Sequence, residues 1–169
     1  QGISIGKKKE KFIKDRSLDV FIDQAREYLN DYPGRIVVPV DLAFEKDGHR
    51  YEITIDKLPV DEMFMDIGSK TIELFKDIIS TAGTIFVNGP MGVYENKIFE
   101  DGTREIWSAV ASAKGYSVMG GGDTVSAASR FVDLNKINYV CTAGGAMVRF
   151  LSGKRLPLIE AMKKASQRN

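Results

Sequence analysis

Three clusters of small residues follow short apolar runs, and no other pattern in the sequence suggests a chemical role as directly. The first cluster is residues 88–92 (NGPMG), the second is residues 120–124 (GGGDT) and the third is residues 142–146 (TAGGA). Glycine lacks a Cβ atom, so its backbone can approach a phosphate closely and direct N–H groups at it. A helix that follows the glycines adds the positive end of its dipole. A single cluster can be explained as a tight turn, but three of them favour phosphate or nucleotide binding.

Asp123 is the one acid within these clusters. A carboxylate beside a phosphate repels it unless a cation lies between them, and Mg²⁺ typically binds one or two carboxylates together with water and phosphate oxygens. The sequence therefore predicts that Asp123 holds Mg²⁺ and that Thr124 donates a hydroxyl hydrogen bond to a phosphate. A helix-capping role for Asp123 is the structural alternative, and the two roles are compatible.

The elements that must position the clusters repeat one plan, in which an apolar strand is followed by a cluster and then by a helix. This plan predicts strands at 84–87, 116–119 and 137–142, and helices near 101–113, 124–132, 145–151 and 157–165. Alternating buried strands and helices predict an α/β fold, a three-layer Rossmann-like parallel sheet flanked by helices. Loops at the carboxyl ends of parallel strands meet in one crevice, so we expect the clusters to converge.

The first half of the chain is predicted to be more varied. Apolar residues at helical spacing indicate a helix over about residues 17–32 that faces a core, and the β-branched run at 35–40 indicates a strand buried on both faces. Residues 42–55 contain a turn signal between two extended stretches, which predicts a small β-hairpin. A helix over residues 69–80 is predicted to have Ser69 as its N-cap.

Composition narrows the class of protein. The chain has 169 residues, of which 43% are hydrophobic, and it carries a formal net charge of +1 with one cysteine and one histidine. These values predict one globular domain without disulfides or a zinc cluster, and they give no general attraction for nucleic acid or membranes. No apolar run predicts a membrane span or signal peptide, so we expect a cytoplasmic protein. Because the first residue is Gln, we also expect that the chain was processed or cut from a longer one.

Two common nucleotide-binding patterns fail. The sequence contains no complete P-loop, and residues 120–125 miss the last position of the dinucleotide fingerprint, which disfavours a dinucleotide-dependent oxidoreductase. None of the three clusters contains Lys or Arg, although phosphoryl transfer requires positive charge on the migrating group. Either the chain only holds a nucleotide or the cations come from outside it.

The three clusters, in this order, resemble those of the phosphoglycerate kinase family. Residues 66–71, 93–95 and 150–157 (FLSGKRLP) extend the resemblance over nearly the whole chain. The family has two domains and transfers a phosphoryl group between 1,3-bisphosphoglycerate and ADP, giving ATP and 3-phosphoglycerate, in glycolysis and gluconeogenesis. The resemblance implies that residues 1–169 form an incomplete C-terminal domain that binds Mg²⁺ with ATP or ADP. With the N-terminal substrate domain absent, the chain alone is expected to be inactive.

The resemblance also implies roles for individual residues. Val93 would line the adenine pocket, Glu95 would accept hydrogen bonds from the ribose, and Gly144 and Gly145 would stabilise the transferring phosphoryl group. The remaining residues expected to border the sugar, phosphates or metal are Asn88, Gly89, Pro90, Gly120, Gly121, Gly122, Asp123 and Thr124. Ala143 and Ser69 stand where the family usually has glycine and proline. A non-catalytic nucleotide-binding or regulatory module stays open as an alternative.

Overall fold

The computed structural model describes residues 3–167, which divide into two compact units. Unit 1 contains residues 3–77 and 91–106, and unit 2 contains residues 78–90 and 107–167. Unit 1 holds an antiparallel sheet and unit 2 a parallel sheet. The predicted α/β class, with a parallel sheet, flanking helices and a hairpin, is confirmed.

The helices and strands alternate along much of the chain. The α-helices are α1 Lys7–Asp15, α2 Ile22–Asp31, α3 Ser69–Thr81, α4 Asp101–Ser112, α5 Gly122–Ser129, α6 Gly144–Leu151 and α7 Pro157–Ser166. The strands are β1 Asp41–Lys46, β2 His49–Thr54, β3 Phe64–Ile67, β4 Thr84–Val87, β5 Tyr116–Gly120 and β6 Tyr139–Cys141. Within residues 3–167, no helix has both the length and the apolar character that a membrane span requires.

The sheet of unit 1 has the strand order β2-β1-β3, and both pairings are antiparallel. Asp47 and Gly48 form the two-residue turn between β1 and β2, with φ values of 52° and 77°. Positive φ at both positions matches the right-handed twist of a hairpin, and Asp and Gly tolerate it better than most residues. The hairpin expected from the turn signal is therefore confirmed.

The start of α3 differs from its prediction. Ser69 is the first residue of the helix, and the carboxylate of Asp41 accepts hydrogen bonds from the backbone N–H groups of Lys70 and Thr71, at 2.9 and 2.8 Å. Ser69 is therefore not the N-cap. The residue that caps the helix lies 29 positions away from Lys70 on β1, so local sequence could not reveal it.

The sheet of unit 2 has the order β4-β5-β6 with parallel pairing throughout. Helix α5 packs against β5 and β6. The side chains that form the core of this unit are at most 7% exposed: Ile85, Trp107, Val110, Met119, Ala127, Ala128 and Ile137. The strand–cluster–helix plan is thus present three times, with shifts of only a few residues from the predicted bounds.

One prediction for the first forty residues is wrong in part and another is wrong. A helix does form within residues 17–32, but it is shorter than predicted, a 3₁₀ turn at Asp19–Phe21 followed by α2, and it does not face a core, because none of its residues is buried. The predicted strand at 35–40 does not form. Ile36 and Val37 are 42% and 45% exposed. A strand needs a neighbour to satisfy its backbone, and the part of the chain that the structure describes provides none here.

Candidate functional site

The three glycine clusters leave the parallel sheet of unit 2 at the same edge. Val87, the last residue of β4, is level with Met119 of β5, and Gly120 is level with Cys141, the last residue of β6. Because the strands are parallel and end in register, the chain segments that follow them begin side by side. The sheet therefore delivers all three clusters to its carboxyl edge, where open α/β sheets bind ligands.

Gly121 is the point at which the clusters meet. Its φ of 109° is a conformation that side-chain-bearing residues rarely adopt. A Cβ atom at Gly121 would lie 3.1 Å from Oδ1 of Asn88 in the first cluster and 3.5 Å from Cα of Gly144 in the third. The convergence expected from the sequence is therefore present within unit 2.

A buried hydroxyl holds the first two clusters together. Thr124 is 2% exposed, and its Oγ1 accepts a hydrogen bond from the backbone N–H of Gly89 at 2.7 Å. The backbone N–H of Gly121 donates to the carbonyl oxygen of Cys141 at 2.9 Å, which links the second cluster to the end of β6. Sequence reasoning missed the bond to Gly89, since nothing local connects two residues 35 positions apart. The predicted bond from Thr124 to a phosphate stays a prediction.

Other glycines of the clusters leave space open. A Cβ atom added at Gly89, Gly122 or Gly145 would meet no atom within 4 Å. Gly120 differs from them, because it is buried and its Cβ would lie 3.1 Å from Sδ of Met147. Thus Gly120 and Gly121 lie where the protein packs closely, and the three open glycines leave bare backbone for another molecule to approach.

The helices that follow the second and third clusters begin without side-chain caps. Neither Gly121, the N-cap of α5, nor Ala143, the N-cap of α6, provides a side-chain hydrogen bond. The first N–H groups of any helix have no acceptor within the helix, and together with the dipole they attract anions. The N–H of Gly144 already donates to the carbonyl oxygen of Thr142 at 3.1 Å. The other first N–H groups of α5 and α6 are therefore the donors that these helix starts offer to a negatively charged ligand.

Asp123 lies in the first turn of α5 with an exposed side chain. Within the described residues, no hydrogen bond or ion pair to its carboxylate is recorded. The same residues contain no group of three or more His, Cys, Asp or Glu side chains that could hold a metal ion without other ligands. A single exposed carboxylate beside the uncapped start of a helix suits Mg²⁺, which completes its shell with water and phosphate oxygens. The donor set therefore fits a magnesium–nucleotide complex.

Ala143 adopts a backbone conformation that needs no glycine. Its φ is −85° and its ψ is 66°, so an alanine can occupy this N-cap position on the negative-φ side of the map. Compared with glycine, Ala143 adds only a methyl group, and this methyl group is exposed. The alanine therefore fits at this position.

The structure places two of the sequence-predicted site residues in unit 1. Val93 is 40% exposed, and its backbone N–H donates to the carbonyl oxygen of Met65 at 2.9 Å. Glu95 is exposed, and the described residues provide it with no recorded partner. Asn88 and Pro90 lie in unit 2 with the glycine clusters. The adenine and ribose roles of Val93 and Glu95 stay predictions.

Comparison with known proteins identifies the relatives of the chain. The family model described as phosphoglycerate kinase matches residues 1–154. A phosphoglycerate kinase of Methanopyrus kandleri is 42% identical over 161 residues, which is 95% of this chain and 40% of the relative. One from Thermoplasma volcanium is 38% identical over 169 residues, covering 99% of this chain and 41% of the relative.

Solved structures give the same result. A crystal structure of phosphoglycerate kinase from Pyrococcus horikoshii OT3 matches 99% of this chain with a TM-score of 0.86 and 33% identity. The phosphoglycerate kinase structure from Coxiella burnetii matches 95% with a TM-score of 0.79 and 34% identity. These matches cover 42% and 41% of the two solved chains. The chain thus spans about 40% of the length of the relatives it matches.

Proposed function

Because the chain belongs to the phosphoglycerate kinase family, we propose that its glycine clusters bind the phosphates of Mg²⁺-ADP or Mg²⁺-ATP for a phosphotransferase reaction. The observation that carries the proposal is the meeting of the three clusters around Gly121, beside two uncapped helix starts and the free carboxylate of Asp123. The proposal includes a cytoplasmic location.

The residues divide the work by their chemistry. Backbone N–H groups at the starts of α5 and α6 would hold phosphate oxygens, and the open glycines Gly122 and Gly145 allow that backbone to come close. Asp123 would hold Mg²⁺, which when bound offsets phosphate charge. Gly144 and Gly145 would stabilise the negative charge of the transferring group with fixed dipoles, which cost no reorganisation during reaction.

The proposed site has further members that follow from family membership. Asn88, Gly89 and Pro90 would border the sugar and phosphates, and Val93 and Glu95 would contact the adenine and ribose. Gly120, buried against Met147, supports the second cluster by packing. The reaction partner of the nucleotide would be 3-phosphoglycerate or 1,3-bisphosphoglycerate.

Phosphoryl transfer needs positively charged side chains that the three clusters do not contain. Clusters 88–92, 120–124 and 142–146 contain no Lys or Arg, and phosphoryl transfer depends on cations that offset the developing charge. We therefore expect that residues 1–169 are an incomplete nucleotide-binding domain of a two-domain kinase and have no kinase activity alone. The same absence favours the second candidate, a non-catalytic nucleotide-binding module.

The test is calorimetric titration of the chain with ADP, in Mg²⁺ and in EDTA. We expect ADP to bind more weakly in EDTA, and Asp123→Asn to weaken binding in Mg²⁺ by about tenfold or more. Asp31→Asn is the matched control, because it removes the same charge from an exposed acid on α2 and should leave binding unchanged. Equal ADP affinity in all conditions would remove the metal role, and no ADP binding by the wild-type chain would refute the proposal.

Activity separates the two candidate functions. Combining the chain with the part of the Methanopyrus kandleri relative that has no counterpart in it should give ATP-dependent phosphorylation of 3-phosphoglycerate if the kinase proposal is right. Nucleotide binding without turnover in that mixture would favour the non-catalytic module. Turnover by the chain alone would show that residues 1–169 already provide the necessary cations.

A further inference from the structure

The residues proposed to contact the nucleoside lie in a segment whose backbone is held by the protein. The segment is residues 91–95 (MGVYE) of unit 1, and Val93 and Glu95 are its two exposed side chains. The backbone N–H of Val93 donates to the carbonyl oxygen of Met65 at 2.9 Å. A segment with a held backbone and exposed side chains loses little conformational freedom when it contacts a ligand, which lowers the cost of binding.

A single buried hydroxyl holds the start of this segment. Thr103 lies in the first turn of α4 and is fully buried. Its Oγ1 accepts hydrogen bonds from the backbone N–H groups of Met91 and Gly92, at 3.2 and 3.3 Å. Two consecutive N–H groups that converge on one oxygen form a concave backbone shape of the kind that binds anions. Here the hydroxyl of Thr103 occupies the position that an anion would take, and it fixes the shape.

The carboxylate of Asp66 packs against the same segment. A Cβ atom added at Gly92 would overlap Oδ1 of Asp66. Asp66 is itself fixed, because it is 5% exposed and accepts hydrogen bonds from the N–H of Gly102 at 2.9 Å and from Arg50 at 3.0 Å. Gly92 is therefore held by a hydrogen bond to Thr103 and by close packing against Asp66.

These hydrogen bonds also determine what the first cluster offers to a ligand. Each N–H group within residues 89–92 donates to a threonine hydroxyl, and Pro90 has no N–H. The acceptor is Thr124 for Gly89 and Thr103 for the other two residues. Because these donors are already occupied, residues 89–92 contribute a fixed shape to a nucleotide site, whereas the uncapped starts of α5 and α6 contribute N–H groups.

We propose that Thr103 is a positioning residue for nucleotide binding, because its hydroxyl holds residues 91–92 so that Val93 and Glu95 meet the nucleoside part of ADP. The inference rests on the proposed function, from which it takes the roles of Val93 and Glu95. Without the hydroxyl, the segment samples other conformations, and the apparent ADP affinity falls with the fraction that stays competent. The loss falls on the contacts of residues 91–95 and not on the contacts to Mg²⁺.

The first test is calorimetric titration of the chain with ADP in Mg²⁺. Thr103→Val removes the accepting oxygen but keeps the branched shape, and we expect it to weaken ADP binding by about fivefold or more. Thr103→Ser keeps the hydroxyl and should restore most of the affinity. Thr71→Val is the matched control, because Thr71 is also fully buried and its Oγ1 also accepts from two consecutive N–H groups, those of Val40 and Asp41. It should lower stability and leave ADP affinity unchanged.

A double-mutant cycle shows whether Thr103 acts through the 91–95 segment. In a Glu95→Gln background, Thr103→Val should cost only about twofold in ADP affinity, since the contact that it positions is already weakened. In an Asp123→Asn background it should keep its full effect, because the metal contact does not depend on the segment. A merely structural role would lower ADP affinity by the same factor in all three backgrounds.

Amide hydrogen exchange without nucleotide tests the geometry itself. The amides of Met91 and Gly92 should be protected in the wild type and should exchange about tenfold faster in Thr103→Val. The N–H of Gly68, which donates to the carbonyl oxygen of Asp41, is the internal reference and should keep its rate. If Thr103→Val does not fold, the wild type still decides, because unprotected amides at Met91 and Gly92 would overturn the proposal.

Three binding results would also overturn the proposal. These are equal ADP affinity of the wild type and a folded Thr103→Val, an equal loss of affinity in Thr71→Val, or a Thr103→Val effect that is unchanged in the Glu95→Gln background. Absence of ADP binding by the wild-type chain would overturn the proposed function together with this inference. Normal ADP binding by the wild type, combined with any of the three results, overturns this inference alone, so the two failures are distinguishable.

Discussion

Helix starts in the two units differ in what occupies their backbone donors. In unit 1, Asp61 accepts from the N–H of Lys7 at the start of α1, and Asp41 accepts from two N–H groups of α3. Asp66 accepts from the N–H of Gly102 in α4. In unit 2, α5 and α6 follow the glycine clusters and have no side-chain caps.

The aspartates at these helix starts differ in the same way: some bind groups of the protein itself, and one is exposed to solvent. Asp41 and Asp66 are 2% and 5% exposed and are satisfied by protein donors. Burial raises the pKa of Asp66, and hydrogen bonds from Gly102 and Arg50 act against that rise. Asp123 also stands in a first helical turn, yet it is exposed and has no recorded partner within residues 3–167. Aspartates from elsewhere in the chain occupy the starts of α1, α3 and α4 in unit 1, whereas the proposed phosphate binding in unit 2 relies on the starts of α5 and α6, which have no such aspartate.

The largest loss of stability is expected in unit 1, from the substitution Arg50→Met. The guanidinium of Arg50 binds Oδ2 of Asp66 at 3.0 Å and also donates to the carbonyl oxygens of Ile67 and Ile98. Its loss leaves the Asp66 carboxylate buried without a cation, which typically costs about 3–5 kcal/mol. Urea unfolding of both proteins measures the change. Arg26→Met breaks an exposed ion pair with Asp23 and should cost less than about 1 kcal/mol; equal losses in the two variants would contradict the comparison.

Gly121→Ala tests the point where the open clusters meet. A side chain at φ 109° is strained, and the new Cβ would press on Asn88 and Thr124, so we expect a loss of about 1–3 kcal/mol of stability together with weaker ADP binding. Gly122→Ala is the matched variant, because its Cβ meets nothing within 4 Å. It should keep its stability and lose ADP affinity, as measured by calorimetry beside thermal melts. A stable Gly121→Ala that binds ADP normally would disprove the close approach.

Asp123→Asn is expected to have a small effect on stability. The side chain has no recorded protein partner in the described chain, so the fold loses only the attraction between its charge and the dipole of α5, worth less than about 1 kcal/mol. Thermal melting without nucleotide gives the value. A loss as large as that of Arg50→Met would place Asp123 among the aspartates that hold the fold.

The smallest effect is a pH dependence at the start of α3. Although burial raises the pKa of Glu52, hydrogen bonds from the hydroxyl and backbone N–H of Ser69 and from Arg50 lower it below its ordinary value of 4.5. A lowered pKa in the folded state means that this stabilisation is present above 4.5 and is lost as pH falls through the folded value. Melting curves of wild type and Glu52→Gln should therefore converge at acid pH. A difference that grows on acidification would show the opposite sign.

Sequence predicted what local patterns determine. The β4, β5 and β6 strands, the clusters after them and the hairpin turn at Asp47–Gly48 all follow from nearby residue types. The bond between Thr124 and Gly89, like the capping of α3 by Asp41, joins residues about 30 positions apart, so no local signal announces it. The prediction of a strand at residues 35–40 was wrong for a different reason. Its residues favour a strand, but a strand forms only where another one pairs with it.

The burial of the single tryptophan means that its fluorescence can report on the unfolding of one helix. Trp107 lies in α4 and is 1% exposed, and no second indole competes with its emission. Its fluorescence should shift to longer wavelength when water reaches that helix. Comparing this signal with far-ultraviolet dichroism during denaturation would show whether α4 melts together with the remaining secondary structure or separately from it.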